Sequence, residues 1–269
     1  MNNNPPGKAT AASSLLRMIS VAIVAGMPMA AVAELSDEPL LGAGLRTRPA
    51  YDGSASERTE LVPVLRQFGS PWFVRSTQGV LEGGLRVEFA PGLHAGAQLA
   101  YEPGRQSSES DFLTAHGVTD VGRGASVGLQ LEWDHVFGPM PITVLTRVRK
   151  HTDSQRGTQA DMRLSAGILH SGPVSAGVFA QAIWADTKSV GSLYGITAQE
   201  AAATGLPAFA PTSGLLSASG GLLWSVDLGP NWAVLGNLES RRLRGDAAQS
   251  PLAERTSNYY VTVGIAYRH

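Results

Sequence analysis

The sequence contains no cysteine in its 269 residues. Disulfide bonds, cysteine-ligated metals and thiol nucleophiles are therefore excluded, and stability must come from packing and strand pairing. Charged residues are scarce, at 16% against the roughly 25% typical of soluble proteins. No segment beyond residue 33 approaches about 18 consecutive apolar residues, which excludes a bundle of membrane-spanning helices. If this chain lies in a membrane it must be a closed barrel, the other structure that satisfies every backbone group in lipid.

The N-terminus has the pattern of an export signal. Lys8 and Arg17 precede a mostly apolar stretch at 18–29, and Ala-Val-Ala ends at residue 33. This pattern predicts a cleavable signal peptide over 1–33 and a mature chain over 34–269, exported by a Gram-negative bacterium. A membrane anchor is the alternative, but the apolar stretch is shorter than the roughly 17–25 residues that a spanning helix needs. Removing the leader leaves 19 basic against 22 acidic residues, which argues against a nucleic-acid partner.

From Leu40 onward, apolar and polar residues alternate with period two between turns rich in glycine and proline. The fold class predicted is all-β: a transmembrane, antiparallel, up-and-down β-barrel of about 12 strands. A single short helix is predicted within a loop, at Thr197–Thr204. The predicted strands are 40–48, 61–68, 72–78, 81–89, 93–103, 124–137, 141–151, 158–170, 174–185, 215–227, 232–244 and 258–268.

Connection lengths alternate between short and long, as they do in barrels with short periplasmic turns and longer external loops. With a periplasmic N-terminus, every glycine- and proline-rich turn falls on the periplasmic side. The join at Gly79-Val80 must then be a tight external turn. The short turns are 69–71, 90–92, 137–139, 171–173 and 228–231, and the long loops are 49–60, 104–123, 152–157, 186–214 and 245–257.

Aromatic residues fall near both ends of the predicted strands, as expected of two girdles at the membrane interfaces. A secreted soluble β-sandwich or lipocalin-like barrel is the alternative, and its aromatics would concentrate in the middle of strands. The predicted periplasmic girdle is Phe68, Trp72, Phe89, Trp133, Phe137, Trp224, Trp232 and Tyr267, and the external one is Tyr51, Tyr101, Trp184, Tyr259 and Tyr260.

Several segments, mostly in predicted external loops, together resemble one known family. The residues that carry the likeness include Tyr51, Gly53, Ser54, Tyr101, Gly104, Arg105, Tyr194, Gly195, Gly245, Asp246, Ser250 and Pro251. The two longest segments are the loop from Tyr194 to Phe209 and the stretch from Leu243 to Leu252. On these residues the chain resembles the MipA/OmpV family over nearly all of its mature length.

The resemblance implies an outer-membrane barrel. In some members it is described as a scaffold that links a lytic transglycosylase to a peptidoglycan synthase, and in others as porin-like or antigenic. It brings no catalytic residue and no cofactor. The chain departs from the family pattern at Gln249, where Asp is common, and at the terminal His269, where Phe is common.

Charges of both signs occupy strand positions that face the barrel interior. They either pair with one another and plug the interior or line a narrow, weakly selective pore, and pairing is favoured because charges buried from bulk water are usually paired. The charges predicted to face the lumen are Arg86, Glu88, Glu102, Glu132, Asp134, Arg147, Arg149, Arg163, Glu239 and Arg241.

Two groups of residues have the side chains needed for a hydrolytic site or a metal site. His151, Asp153 and Ser154 are the best local candidates for a hydrolytic triad, but polar loop residues explain them more simply. Histidines near the predicted periplasmic end suggest a metal site, yet strand parity sets His135 and His170 toward lipid and His94 toward the lumen. These four histidines are His94, His135, His170 and His269. We therefore predict no enzyme, no metal and no cofactor.

Two external turns, Gly104-Arg105 and Gly245-Asp246, are explained by turn chemistry, with ligand capture as the alternative. The sequence thus predicts a non-enzymatic barrel in contact with outer-membrane lipid. Its role is either a scaffold for a lytic transglycosylase and a peptidoglycan synthase or a channel for small solutes, and a barrel hydrolase is a third, weaker alternative.

Overall fold

The structure is a computed structural model that describes residues 38–268. The predicted signal peptide and the terminal His269 lie outside this range. Twelve antiparallel strands form a closed barrel, in which each strand pairs with its sequence neighbours and the last closes on the first, so the predicted fold class is confirmed. The strands are β1 (Leu40–Pro49), β2 (Glu57–Phe68), β3 (Trp72–Thr77), β4 (Val80–Ala90), β5 (Leu93–Glu102), β6 (Gly124–Phe137), β7 (Met140–His151), β8 (Thr158–Ser171), β9 (Val174–Ala185), β10 (Gly214–Asp227), β11 (Trp232–Leu243) and β12 (Ser257–Arg268).

The strands form because one face of each is apolar and meets lipid. Along β6, for example, Leu129 is 69% exposed while Gln130 and Glu132 on the opposite face are 5% exposed. Side chains in a strand alternate between the two faces, so this pattern sets the apolar residues outside and the polar ones in the lumen. No helix in residues 38–268 is long and apolar enough to cross a membrane.

The two ends of the barrel differ in the length of their connections. The periplasmic hairpins close in tight turns, with glycines in the left-handed region at Gly92, Gly138 and Gly172. The opposite end carries the long loops and all the helices, which are α1 (Asp111–His116), α2 (Thr187–Tyr194) and α3 (Ala198–Thr204), together with 3₁₀ turns at Ser107–Glu109 and Gly245–Gln249.

The predicted loop helix is confirmed as α3. A reciprocal capping box starts it, in which the Thr197 hydroxyl accepts from the backbone N–H of Glu200 and the Glu200 carboxylate accepts from that of Thr197. The other two helices were not predicted. Each has a capping side chain, Ser110 for α1 and Asp186 for α2, but both are too short to show a clear helical period.

The barrel wall is uneven at β3. This strand ends at Thr77 and turns back at once through Gln78 and Gly79, both with positive φ. Its pairing with β2 covers Arg66 to Phe68, whereas β2 itself pairs with β1 from Glu57 onward. The predicted tight external turn is therefore present, but it consists of Gln78 and Gly79, one residue before the predicted Gly79-Val80, and β3 is shorter than its neighbours.

Three of the predicted girdle positions are wrong. Tyr51 and Tyr260 are buried, 7% and 3% exposed, and Phe68 packs inside beneath the Arg86 guanidinium. For Phe68 and Tyr260 the prediction relied on closeness to a strand end and ignored parity, which sets both on the lumen face. Trp72, Phe89 and Trp232 are exposed outside at the periplasmic end, and Tyr101, Trp184 and Tyr259 at the external end, so two girdles remain.

Candidate functional site

A chain of ion pairs runs through the lumen along the wall formed by β3 to β8. It starts at the periplasmic side with Asp134, continues through arginines and carboxylates in alternation, and ends at Glu102 near the external end. The contacts in order are Asp134 to Arg86 (3.1 Å), Arg86 to Glu132 (2.9 Å), Glu132 to Arg75 (3.1 Å), Arg75 to Glu82 (3.0 Å), Glu82 to Arg147, Arg147 to Asp161 (2.8 Å), Asp161 to Arg149 (3.4 Å) and Arg149 to Glu102 (3.3 Å).

The centre of this chain is shielded from water. The side chains of Glu82 and Asp161 are 1% exposed and that of Arg147 is 3% exposed. Arg147 joins both carboxylates, and its Nε and Nη2 both donate to Asp161. Charges that line a water-filled pore would be exposed, so these residues plug the middle of the lumen and satisfy one another.

A second polar cluster fills the opposite side of the lumen. Arg241 contacts Glu239 on its own strand and Asp52 in the β1–β2 loop, each at 2.9 Å, and the Tyr260 hydroxyl also donates to Asp52. The tip of the β3–β4 hairpin reaches this cluster, because the Gln78 side-chain amide donates to Glu239 at 2.9 Å. The hairpin therefore bends inward and helps to fill the external half of the barrel.

The residues that carry the family resemblance mostly hold the external loops to one another. We call this layer, made of the loops that follow β1, β5, β9 and β11, the external cap. The Tyr51 hydroxyl donates to the backbone oxygen of Leu252 at 2.7 Å, and the Ser250 hydroxyl donates to that of Tyr194 at 2.6 Å. The Tyr194 hydroxyl in turn donates to the backbone oxygen of Asp52 at 3.0 Å. Three loops are thus joined by side chains that reach across to backbone atoms.

The apolar part of the cap packs around the same motifs. Tyr51 lies in a buried cluster with Leu113 of α1, Ile196 and Leu252. Tyr194 belongs to a second cluster that seats α2 on the barrel rim beside Leu216 and Leu243. Hydrophobic packing and hydrogen bonds therefore fix the same loops.

The other motif residues have identifiable local roles. The Arg105 guanidinium donates to the backbone oxygens of Leu193 and Thr119, which ties the β5–β6 loop to α2. A Cβ at Gly104 would lie 1.8 Å from the backbone oxygen of Val121, so only glycine fits there. Asp246 follows Gly245, whose φ is positive, and accepts the backbone N–H and the hydroxyl of Thr212, both at 2.7 Å.

Five motif positions complete the set. The Gly53 N–H donates to the Asn258 side chain, and the buried Ser54 hydroxyl donates to Glu254. Gly195 ends α2, and Pro251 follows Ser250 in a half-buried turn. Tyr101 lies apart from the cap, 56% exposed on the lipid face of β5.

Electrostatics inside the cap favour a charged Asp52. Burial alone would raise the pKa of Asp52, but the Arg241 guanidinium and the hydrogen bond from Tyr260 lower that pKa below its usual value. Burial raises the pKa of the Tyr194 hydroxyl, and the Asp52 charge raises it further, so this phenol stays neutral. The Asp52 carboxylate is thus held ionised as a polar anchor under the cap.

A large cavity lies in the periplasmic half of the lumen and has a volume of about 730 Å³. One wall, from β1, β2, β10 and β11, is apolar and includes Leu40, Val64, Leu223 and Leu235. The facing wall carries charged side chains, among them Arg75, Glu132, Asp134 and Arg163. A smaller cavity of about 180 Å³ lies under the cap and is lined partly by Tyr51 and Arg105. The lumen therefore holds one large amphipathic cavity below the filled external half.

The hydrolytic constellation does not assemble. The Asp153 carboxylate accepts the backbone N–H of Gln155, and His151 is held between the Asp153 backbone N–H and the Arg156 guanidinium, 2.7 Å from its Nε2. Ser154 is exposed in the same loop. A base with an orienting carboxylate beside a nucleophile is therefore missing from this loop as the structure describes it.

Strand parity predicts the correct face for His94 and His135 but not for His170. His94 faces the lumen near Arg86 and Asp134, and His135 stacks on Trp133 at the periplasmic girdle. A bulge between Gly167 and Leu169 reverses the parity of β8, so His170 contacts the inward-facing Ser175 and not lipid. Within residues 38–268, no group of three or more histidine, aspartate or glutamate side chains could hold a metal ion.

Most of the lumen charges named from the sequence lie where the strand faces suggested. Arg86, Glu132, Asp134, Arg147, Arg149 and Glu102 form the ion-pair chain, Glu239 and Arg241 belong to the second cluster, and Arg163 lies over the Phe179 ring on the inner face. Glu88 lies near the periplasmic turn and accepts the Gly92 N–H.

The sequence reading missed three central members of the chain, Arg75, Glu82 and Asp161. The alternation that identifies Arg86 and Arg163 also identifies Glu82 and Asp161, because these residues are an even number of positions apart in their strands. In the same way, Arg75 follows the lipid-facing Val74 in β3, so alternation sets Arg75 toward the lumen.

Comparisons with known proteins agree with the fold. A family model described as MltA-interacting protein MipA matches residues 41–269. An outer membrane channel from Pseudomonas putida F1 aligns at 10% identity and a TM-score of 0.51, over 91% of this chain and 100% of that one. The NanC porin aligns at 9% identity and a TM-score of 0.48, over 86% of this chain and 100% of that one. No curated protein matches the sequence. The closed antiparallel barrel and its apolar outer face make this chain an outer-membrane protein.

Proposed function

Because the chain belongs to the family of the MltA-interacting protein MipA, we propose that it is a non-enzymatic scaffold in the outer membrane. In this role the barrel holds a lytic transglycosylase at the inner surface of the membrane and brings a peptidoglycan synthase to it. The single observation that carries the proposal is the family match over residues 41–269, and the filled lumen supports it.

The periplasmic rim is the surface on which such a partner would bind. The external cap faces away from the periplasm, and the lipid-facing wall is covered by the bilayer. The rim consists of short turns, and the β10–β11 turn presents an apolar side chain there, Leu228, which is 60% exposed. A stable interface needs roughly 800 Å² on each partner, so the partner must span several turns at once or bind transiently.

A co-purification experiment tests this proposal. The mature barrel, extracted in mild detergent, is expected to retain the lytic transglycosylase of its own organism. Leu228→Glu sets a charge in the apolar rim and should weaken retention by about tenfold or more. Gln155→Glu, an exposed change in an external loop, is the matched control and should bind as wild type does. Loss of binding in neither variant, or in both, would contradict docking at the rim.

A channel for small solutes is the second candidate, favoured by the cavity of about 730 Å³ in the periplasmic half. Conduction would require solute to pass Arg147, Glu82 and Asp161, which are joined and shielded from water. The filled external half therefore fits a scaffold better than a channel, because conduction would require these side chains to rearrange.

A further inference from the structure

The cavity under the external cap is lined mainly by arginines. Among residues 38–268, seven arginines and three carboxylates line its volume of about 180 Å³. The carboxylates are Asp52, Glu82 and Glu102, and each already forms an ion pair with an arginine. Positive charge therefore exceeds negative charge on this wall, although charges inside a protein are usually paired.

The seven arginines divide into two groups. Four of them form ion pairs with carboxylates, whereas the other three have no carboxylate partner within the described part of the chain. The paired arginines are Arg48, Arg147, Arg149 and Arg241. The three without a carboxylate are Arg46 on β1, Arg105 in the β5–β6 loop and Arg156 in the β7–β8 loop.

Arg46 is the clearest of the three. It is 7% exposed, and its guanidinium makes no hydrogen bond or ion pair with residues 38–268. Its Cζ lies 5.1 Å from the centre of the Tyr260 ring, and the Cζ of Arg241 lies 4.6 Å from the same ring. Glu239 and Asp52 act on Arg46 through space, but both lie 2.9 Å from the Arg241 guanidinium. Two guanidinium groups thus share one ring, and the carboxylates there are bonded to the other one.

Arg105 and Arg156 are held by backbone oxygens in place of carboxylates. Arg105 donates to the oxygen of Leu193, and Arg156 donates to those of Gly122 and Pro103. The Arg105 Nε is buried and has no hydrogen-bond partner in the part of the chain that the structure describes. Burial lowers the pKa of both guanidinium groups, which reflects the cost of a buried charge without a counter-ion.

A small oxyanion has the chemistry that would compensate this wall. Guanidinium groups bind oxyanions through paired N–H···O bonds, and a tetrahedral oxyanion presents oxygens to several of them at once. The cavity volume of about 180 Å³ is below the roughly 300–1,000 Å³ of sites for larger organic ligands. The cavity therefore has room for an ion the size of phosphate but not for an acyl chain or a peptide.

We propose that the cavity under the external cap binds one small tetrahedral oxyanion of the phosphate type, against Arg46, Arg105 and Arg156. The occupant is a free ion, because the bulk of a lipid headgroup exceeds the cavity. Bound there, the ion joins β1 to the β5–β6 and β7–β8 loops and so holds the external loops on the barrel. A phosphate group of lipopolysaccharide is the competing source of the same chemistry.

Equilibrium dialysis of the refolded barrel, residues 34–269, against radiolabelled inorganic phosphate tests this inference. In neutral detergent at constant ionic strength, the wild type is expected to retain one phosphate per barrel in a saturable manner. Arg46→Gln should weaken binding by about tenfold or more, as for the loss of a charge-assisted hydrogen bond. A folded wild-type barrel without saturable binding would overturn the inference.

Arg255→Gln is the matched control. It removes the same charge from an exposed arginine of the β11–β12 loop that lies outside the cavity wall, and it should bind phosphate as the wild type does. Heat-dependent gel mobility shows whether each variant is folded. Equal weakening in the two folded variants would mean that phosphate responds to overall charge, and the proposed site would be wrong.

Protease resistance tests the site without any substitution. An ion that joins the loops stabilises the bound form by mass action, so saturating phosphate should slow cutting of the external loops severalfold compared with chloride at equal ionic strength. Equal cutting rates in the two salts would contradict the proposal.

Lipopolysaccharide distinguishes the two sources of phosphate. An excess of it should leave the retained inorganic phosphate unchanged, because its headgroup does not fit the cavity. Displacement of the retained phosphate would assign the site to a lipid headgroup and would refute a free ion as the occupant.

Discussion

The external and periplasmic halves of the barrel interior are built on the same strands and are filled in different ways. The external half holds buried ion pairs, the tip of the β3–β4 hairpin and a cap of interlocked loops. The periplasmic half holds an amphipathic cavity of about 730 Å³ with short turns beneath it. Strand pairing alone therefore determines the wall, while the two fillings determine what each end can do.

The difference also concerns tolerance to change. A buried charge has to find its partner in one geometry, and removing that partner leaves an uncompensated charge in a medium of low dielectric constant. An apolar cavity wall has no such requirement. We therefore expect substitutions in the external half to affect stability strongly, and those near the periplasmic end to affect mainly what binds there.

The largest effect is expected from Arg147→Ala. This change leaves Glu82 and Asp161 without their shared arginine, and breaking a buried pair of this kind costs about 3–5 kcal/mol. Arg268→Ala, which removes a pair with Asp227 at the periplasmic rim, should cost less than about 1 kcal/mol. Urea unfolding followed by circular dichroism in the same detergent measures both. Similar losses of unfolding free energy in the two variants would contradict the proposed difference between the two halves.

A smaller effect is expected from Ser250→Ala in the cap. The Ser250 hydroxyl donates to the backbone oxygen of Tyr194 and accepts the N–H of Leu252, so its removal leaves buried groups unsatisfied at a cost of about 1–3 kcal/mol. The cap should then be cut faster by protease at the external loops while the strands stay intact. Ser257→Ala, at an exposed serine, provides the control and should be cut at the wild-type rate.

The smallest expected effect is the contribution of Asp52 to stability at low pH. The pKa of Asp52 is lowered in the folded protein, although burial opposes this, because Arg241 and Tyr260 stabilise the carboxylate. Its contribution to stability is therefore complete above the unfolded value of about 3.9 and is lost as the pH falls through the lower folded pKa. Asp52→Asn should reduce the loss of stability on acidification, measured as the unfolding midpoint from about pH 5 down to about pH 1.5. Exposed Asp153→Asn should keep the wild-type profile, and an identical profile in both variants would contradict the role of Asp52.

The sequence predicts the wall of this barrel well because two simple patterns determine it. Alternation locates all twelve strands, and glycine and proline locate the turns. The same parity applied more strictly would have included Glu82 and Asp161 among the lumen charges and excluded Tyr260 and Phe68 from the girdles. These were errors in using a signal that is present.

Other features leave no local signal. Parity gives the face of each residue but not how far two strands pair, so the short pairing between β2 and β3 could not be foreseen from the residues of these strands. The bulge that turns His170 inward is a register shift between β8 and β9, which depends on both strands together. The cap joins residues far apart in sequence, as in the bond from Tyr51 to Leu252. Its motifs were visible, but their mutual contacts were not.

The most direct test of the filled external half is the single-channel conductance of the refolded barrel, residues 34–269, in a planar bilayer, with Arg147→Ala/Arg149→Ala for comparison. We expect a folded wild-type barrel that is silent, because Arg147, Glu82 and Asp161 block the lumen. Discrete wild-type openings, with an ion selectivity that changes in the double variant, would contradict a plugged lumen and make the channel the primary function.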